Sequence, residues 1–63
     1  MADLETLRRR CEALAEELAD ASLDLLRAAV DGDEAAASTE KRVTRARRAV
    51  EKAGALLDAP TPR

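Results

Sequence analysis

Apolar residues recur through the first half of the chain at alternating spacings of three and four. Leu4, Leu7, Cys11, Leu14, Leu18, Ala21, Leu25 and Ala28 form one such series, the pattern of a helix with a sustained heptad seam. The triplet Asp31-Gly32-Asp33 interrupts it. Gly32 suits the left-handed position just past a helix end, and Asp33 can cap a following helix through its carboxylate. A second seam runs through Ala36, Thr39, Val43, Ala46, Val50, Ala53 and Leu57, and Pro60 stops it. The pattern predicts an all-α, single-domain hairpin: a helix over 3–31, a turn at 31–33, a helix over 33–59 and a loose tail at 60–63.

So short a turn forces the helices to lie antiparallel. Residues whose numbers sum to 64 then face each other: Leu7 with Leu57, Cys11 with Ala53, Leu14 with Val50, Leu18 with Ala46, Ala21 with Val43, Leu25 with Thr39, Ala28 with Ala36. Several of these layers set a large side chain against a small one, as close packing requires. The expected fold is therefore a coiled-coil-like antiparallel two-helix hairpin.

Two helices cannot enclose such a seam. In the second half of the first helix a further stripe of Ala19, Leu23, Leu26 and Val30 widens the apolar arc to about 220°. Ala35, Ala49 and Leu56 lie beside the second seam. The arc reads as a second packing face, most simply for another copy of the chain, giving a homodimeric four-helix bundle. Leu18, Leu23, Leu25, Leu26 and Val30 on the first helix, with Val43, Val50, Leu56 and Leu57 on the second, are the candidate apolar interaction residues.

Composition points the same way. The chain has 63 residues, 46% of them hydrophobic, but no Phe, Tyr or Trp, so its core must be built from Leu, Val and Ala. Domains this small normally need disulfides, a metal or oligomerisation. One cysteine and no histidine offer neither an internal disulfide nor a structural zinc site, which leaves self-association. No run of 18 or more apolar residues and no basic-then-apolar leader is present, so neither a membrane span nor a secretory signal is expected and a cytoplasmic location is the default.

Charge is organised rather than scattered. Lys41, Arg45, Arg48 and Lys52 form a basic stripe on the second helix, and Glu12, Glu16, Asp20 and Asp24 an acidic ladder on the first. Like charges four apart weaken a helix by about 0.2–0.5 kcal/mol per pair, and neither ribbon is compensated within its own helix. Asp24 and Arg42 are placed for one bridge between the helices. Complementary ribbons suit docking between copies or onto a charged protein. For nucleic acid the basic stripe supplies phosphate contacts, but the net charge of −2, the absence of aromatic stacking platforms and the lack of a DNA-reading motif all weigh against it.

Chemistry is sparse. Without His the commonest general base and metal ligand is missing. Cys11 on the seam reads as a small buried hydrophobe, and carboxylates fanned round one helix do not converge on a cation. No enzyme, metal or cofactor is expected. Ser38 and Thr39 trim the first turns of the second helix. Gly54 costs that helix about 1 kcal/mol relative to Ala; either close approach of another helix or fraying toward the helix end would explain it.

In outline, the two-helix hairpin with its acidic turn Asp31-Gly32-Asp33-Glu34 resembles the plasmid repressor-of-primer class, which implies an antiparallel dimer. The resemblance stops at architecture: aligned on the turn, Thr6, Asp20 and Arg27 fall at core positions and the aromatic of that family's RNA-binding face is missing, so its RNA activity is not carried over. Glu40 to Lys52 resembles the second helix of exonuclease VII small subunits, also hairpins. The interval from the turn to Val43 would need a gap, and the aromatic positions are empty. Membership of neither family is assigned. The expectation is a small non-enzymatic hairpin acting by protein–protein interaction, as a self-associating module, adaptor or regulatory subunit. The alternatives are a nucleic-acid-binding regulator using the basic stripe and an accessory small subunit of a larger enzyme.

Overall fold

The computed structural model describes residues 3–58, which form two α-helices joined by a tight turn: α1, Leu4–Val30, and α2, Glu34–Leu57. The expected tail at 60–63, its stop at Pro60 and the last expected helical position, Ala59, lie outside the described residues. The helix limits fall slightly inside those read from the pattern because the flanking aspartates serve as caps. Asp3 accepts a hydrogen bond from Glu5 N on one carboxylate oxygen and from Thr6 Oγ1, at 2.8 Å, on the other. Asp33 Oδ1 accepts from Ala36 N at 3.0 Å. Each satisfies an N–H that the first turn of a helix cannot pair internally. Asp31 and Asp58 occupy the C-terminal cap positions.

The turn depends on Gly32. Its φ of +103° lies in the region where a Cβ is strained. The N–H of Gly32 donates to Ala29 O at 3.0 Å and that of Asp33 to Ala28 O at 3.0 Å, the paired bonds that close a helix through a left-handed residue. The chain reverses within three residues and α2 returns along α1.

The helices pack along their whole length. The contacts straddle the expected register: Arg8 reaches Asp58 at 3.6 Å, Ser22 bonds Glu40 at 2.6 Å, and a Cβ placed on Gly54 would stand 3.3 Å from Cys11 Cβ. Gly54, rather than Ala53, therefore faces Cys11, and it admits close approach within the hairpin.

Burial, however, is slight. Only Ala15 and Ala36 are buried among the described apolar residues, and no large side chain is fully enclosed. The radius of gyration is 14.8 Å, against about 10.6 Å for a compact domain of this length. The hairpin exposes 5117 Å², roughly 1,200 Å² more than the ~3,950 Å² of a compact monomer of its mass.

Because the Asp33 cap seeds α2, replacing it with Ala should lower stability by about 1 kcal/mol. That corresponds to a fall in melting temperature of about 4–8 °C. Thermal circular dichroism at fixed chain concentration measures it, and Asp33→Asn should retain most of the stability.

Candidate interaction faces

The line of contact between the helices is displaced from the heptad seam. Leu14, expected opposite Val50, is 45% exposed, and Ala46, expected opposite Leu18, is also exposed. In their place α1 turns Arg8, Ala15, Ser22 and Ala29 toward its neighbour, while α2 turns Glu40, Arg47 and Gly54. At 100° per residue the contact face is rotated from the seam by about 35° in each helix. Two facing antiparallel helices place this rotation on the same side of the hairpin. One edge of the contact is consequently polar and the opposite edge apolar.

Two side-chain networks close the polar edge. Near the open end, Arg8, only 19% exposed, binds Glu5 Oε2 at 2.6 Å through Nη2 and Glu12 Oε2 at 2.6 Å through Nη1, with Asp58 at 3.6 Å from Nε. Arg9 adds a bond to Glu5 at 3.2 Å. The bonds from Arg8 hold the Glu5 carboxyl well below its ordinary value, from 4.5 to about 2, and those to Glu5 and Glu12 raise the Arg8 guanidinium above its usual range. At mid-length Ser22 Oγ and Thr44 Oγ1 both donate to Glu40 Oε2, at 2.6 and 2.7 Å. These bonds, Ser22's first, lower the Glu40 pKa. Arg47 Nε, enclosed on this edge, has no hydrogen-bond partner among the described residues.

An open groove of about 460 Å³ follows the polar edge between Arg8, Glu12 and Ala15 on α1 and Val50, Glu51 and Gly54 on α2. Farther along, toward the turn, lies a second hollow of about 380 Å³ among Leu23, Leu26, Arg27, Val30 and Asp31.

The apolar edge carries no such network. Leu14, Ala35, Ala46 and Ala49 are exposed there, while Leu7, Ala21, Ala28, Val50 and Ala53 are half-buried.

Compared with protein-family models, curated proteins and solved structures, the chain matches none. Its function must be read from its own surfaces.

The candidate apolar residues divide into two groups. Leu18, Leu25, Val43, Val50 and Leu57 are half-buried in the hairpin contact; Leu23, Leu26, Val30 and Leu56 are exposed, Val30 to 85% and Leu56 to 67%. The exposed group is not one arc. The stripe of Leu23, Leu26 and Val30 flanks the polar edge, whereas Leu56 lies beyond the apolar edge.

The charged ribbons are all exposed: Lys41, Arg45, Arg48 and Lys52 on α2, and Glu12, Glu16, Asp20 and Asp24 on α1. They point away from each other and cannot pair within a hairpin. The basic stripe runs straight along α2. The acidic ladder, with its constant spacing of four, slants by about 120° around α1. It is also partly compensated, contrary to expectation, since Arg8 neutralises Glu12 and Arg27 approaches Asp24 at 3.9 Å. Asp24 thus pairs with its helix neighbour and not with Arg42. Among the described residues no ion pair engages the basic stripe, and no group of three or more metal-ligating side chains stands together.

Arg8, Ser22, Glu40, Thr44 and Arg47 were not singled out by the hydrophobic pattern. A signal was present, since Arg8, Ala15, Ser22 and Ala29 recur every seven residues, as do Glu40, Arg47 and Gly54. It was masked by the stronger apolar series beside it.

The Glu5 carboxyl should titrate near 2 by NMR and return toward 4.5 in Arg8→Met. Its folded pKa lies below the unfolded one, so the stabilisation is complete above about pH 4.5 and is lost as pH falls toward 2. The urea midpoint should accordingly drop over that interval, and drop less in Arg8→Met.

Proposed function

We propose that this chain acts through protein–protein interaction. In this reading the hairpin self-associates into a homodimeric four-helix bundle that serves as a structural, adaptor or regulatory module in the cytoplasm. The observation that carries it is the open apolar edge. Both helices leave seam residues uncovered along one side, Leu14 and Ala46 among them, and the elongated hairpin exposes roughly 1,200 Å² more surface in total than a compact monomer of its mass. A chain whose largest side chains are nowhere enclosed gains its missing core from a second copy. The non-enzymatic reading rests on composition, with no His, and on Cys11, half-buried against Gly54. Among the described residues no helix is long and apolar enough to cross a membrane.

Sedimentation equilibrium at low and high salt tests the assembly. Burial of apolar surface is insensitive to screening, so a dimer is expected in both conditions; a folded monomer in both would refute it, and dissociation in high salt would transfer the association to the charged ribbons.

A second reading rests on the basic stripe, which stands exposed and free of ion pairs among the described residues: a regulator that holds nucleic acid through its phosphates. Under it, filter binding to RNA and DNA would show affinity falling steeply with salt. Lys41→Glu/Arg48→Glu would abolish retention without changing the helical content.

A further inference from the structure

We infer that the second copy packs on the apolar edge with its turn at the opposite end, the two-fold axis passing through the layer of Leu18 and Ala46. This rests on the self-association reading and adds the face, the topology and the register.

The face follows from the displaced contact. In a square four-helix bundle the core lies about 45° from the line joining adjacent helices. In this hairpin the heptad seams of both helices point about 35° away from the α1–α2 contact, and to the same side. They aim at the axis of a bundle whose other half lies over the apolar edge. The polar edge is unsuited to that role. There Arg8 is already bound to Glu5 and Glu12, and Glu40 to Ser22 and Thr44, so a bundle core on that side would desolvate satisfied charges. The hollow by Leu23, Leu26 and Val30 is apolar on one helix only and for half the length, too little to form a core.

The topology follows from taper. From the open end the layers run Leu7 with Leu57, Cys11 with Ala53 and Leu14 with Val50, and toward the turn Ala21 with Val43, Leu25 with Thr39 and Ala28 with Ala36, so the largest layer stands at the open end and the smallest at the turn. Turns at the same end would stack four leucines in one layer and four alanines in another, crowding one end and leaving voids at the other. Turns at opposite ends bring Leu7 and Leu57 against the partner's Ala28 and the partner's Ala36. Leu14 and Val50 then meet the partner's Ala21 and the partner's Val43. Every layer combines large with small, which holds packing density uniform.

Charge agrees with the register. Arg10 is exposed and faces the apolar edge. The two-fold sets it about 3 Å along the helix from the level of the partner's Asp24, within the span of its long side chain, and the symmetry makes this pair twice. Glu17 falls beside its own copy at the axis, the like-charge contact of the arrangement and the means of testing it.

In the Cys11→Ala/Glu17→Cys variant the introduced thiols of the two chains stand close to the axis where α1 runs beside its copy, within the reach of about 7 Å between Cα atoms that a disulfide requires. Air oxidation of the folded protein should convert most of the chain to a disulfide-linked dimer. A variant that sediments as a dimer but does not crosslink overturns the topology. If mixed Glu17→Cys and Ala49→Cys chains, each carrying Cys11→Ala, crosslink instead, the turns lie at the same end; if neither crosslinks, the apolar edge is not the interface. A monomer by sedimentation refutes the self-association reading itself, a result distinct from a dimer that fails to crosslink.

Discussion

Two helices share a single line of contact, and each side chain on that line can be covered from one direction only. The chain carries no aromatic side chain, and contact between α1 and α2 buries two alanines and leaves every leucine partly in solvent. The turn makes even this contact possible. Gly32, with φ of +103°, reverses the chain within three residues, so forming the hairpin costs little loop entropy.

The hairpin answers the shortage of core differently on its two edges. On one, hydrogen-bonded charges replace apolar packing, with Arg8 lying across the seam toward Asp58 and Glu40 gathering hydroxyls from both helices. Such networks tie the helices together at two heights, at Ser22 with Glu40 and at Arg8 with Asp58. Exposed ion pairs contribute little stability in themselves, so their value here is specificity. On the other edge, alanines and Leu14 stay bare. The two edges of the contact are therefore chemically distinct.

The small residues of that edge also bear on geometry. Ala21, Ala28, Ala35, Ala46 and Ala53 keep the helix surface low, allowing another helix to approach closely. Gly54 does the same within the hairpin, where Cys11 comes close. Neither Cys11 nor Gly54 needs a chemical role to account for its place.

The sequence by itself determined the two helices, the turn and the approximate register, because these depend on local rules: heptad spacing, a left-handed glycine and aspartate caps. It also placed the basic stripe on one line of α2. Only the tertiary structure decided which side of each helix meets the other. The strongest apolar series marks where a helix prefers to be dry, and in a two-helix protein that direction and the line of contact need not coincide. The rotation between them, about 35°, brings Arg8, Ser22 and Glu40 into the contact and leaves Leu14 and Ala46 outside. It also sets Leu23 and Leu56 on opposite sides. Such a rotation follows from the joint packing of both helices, and no single helix's periodicity contains it.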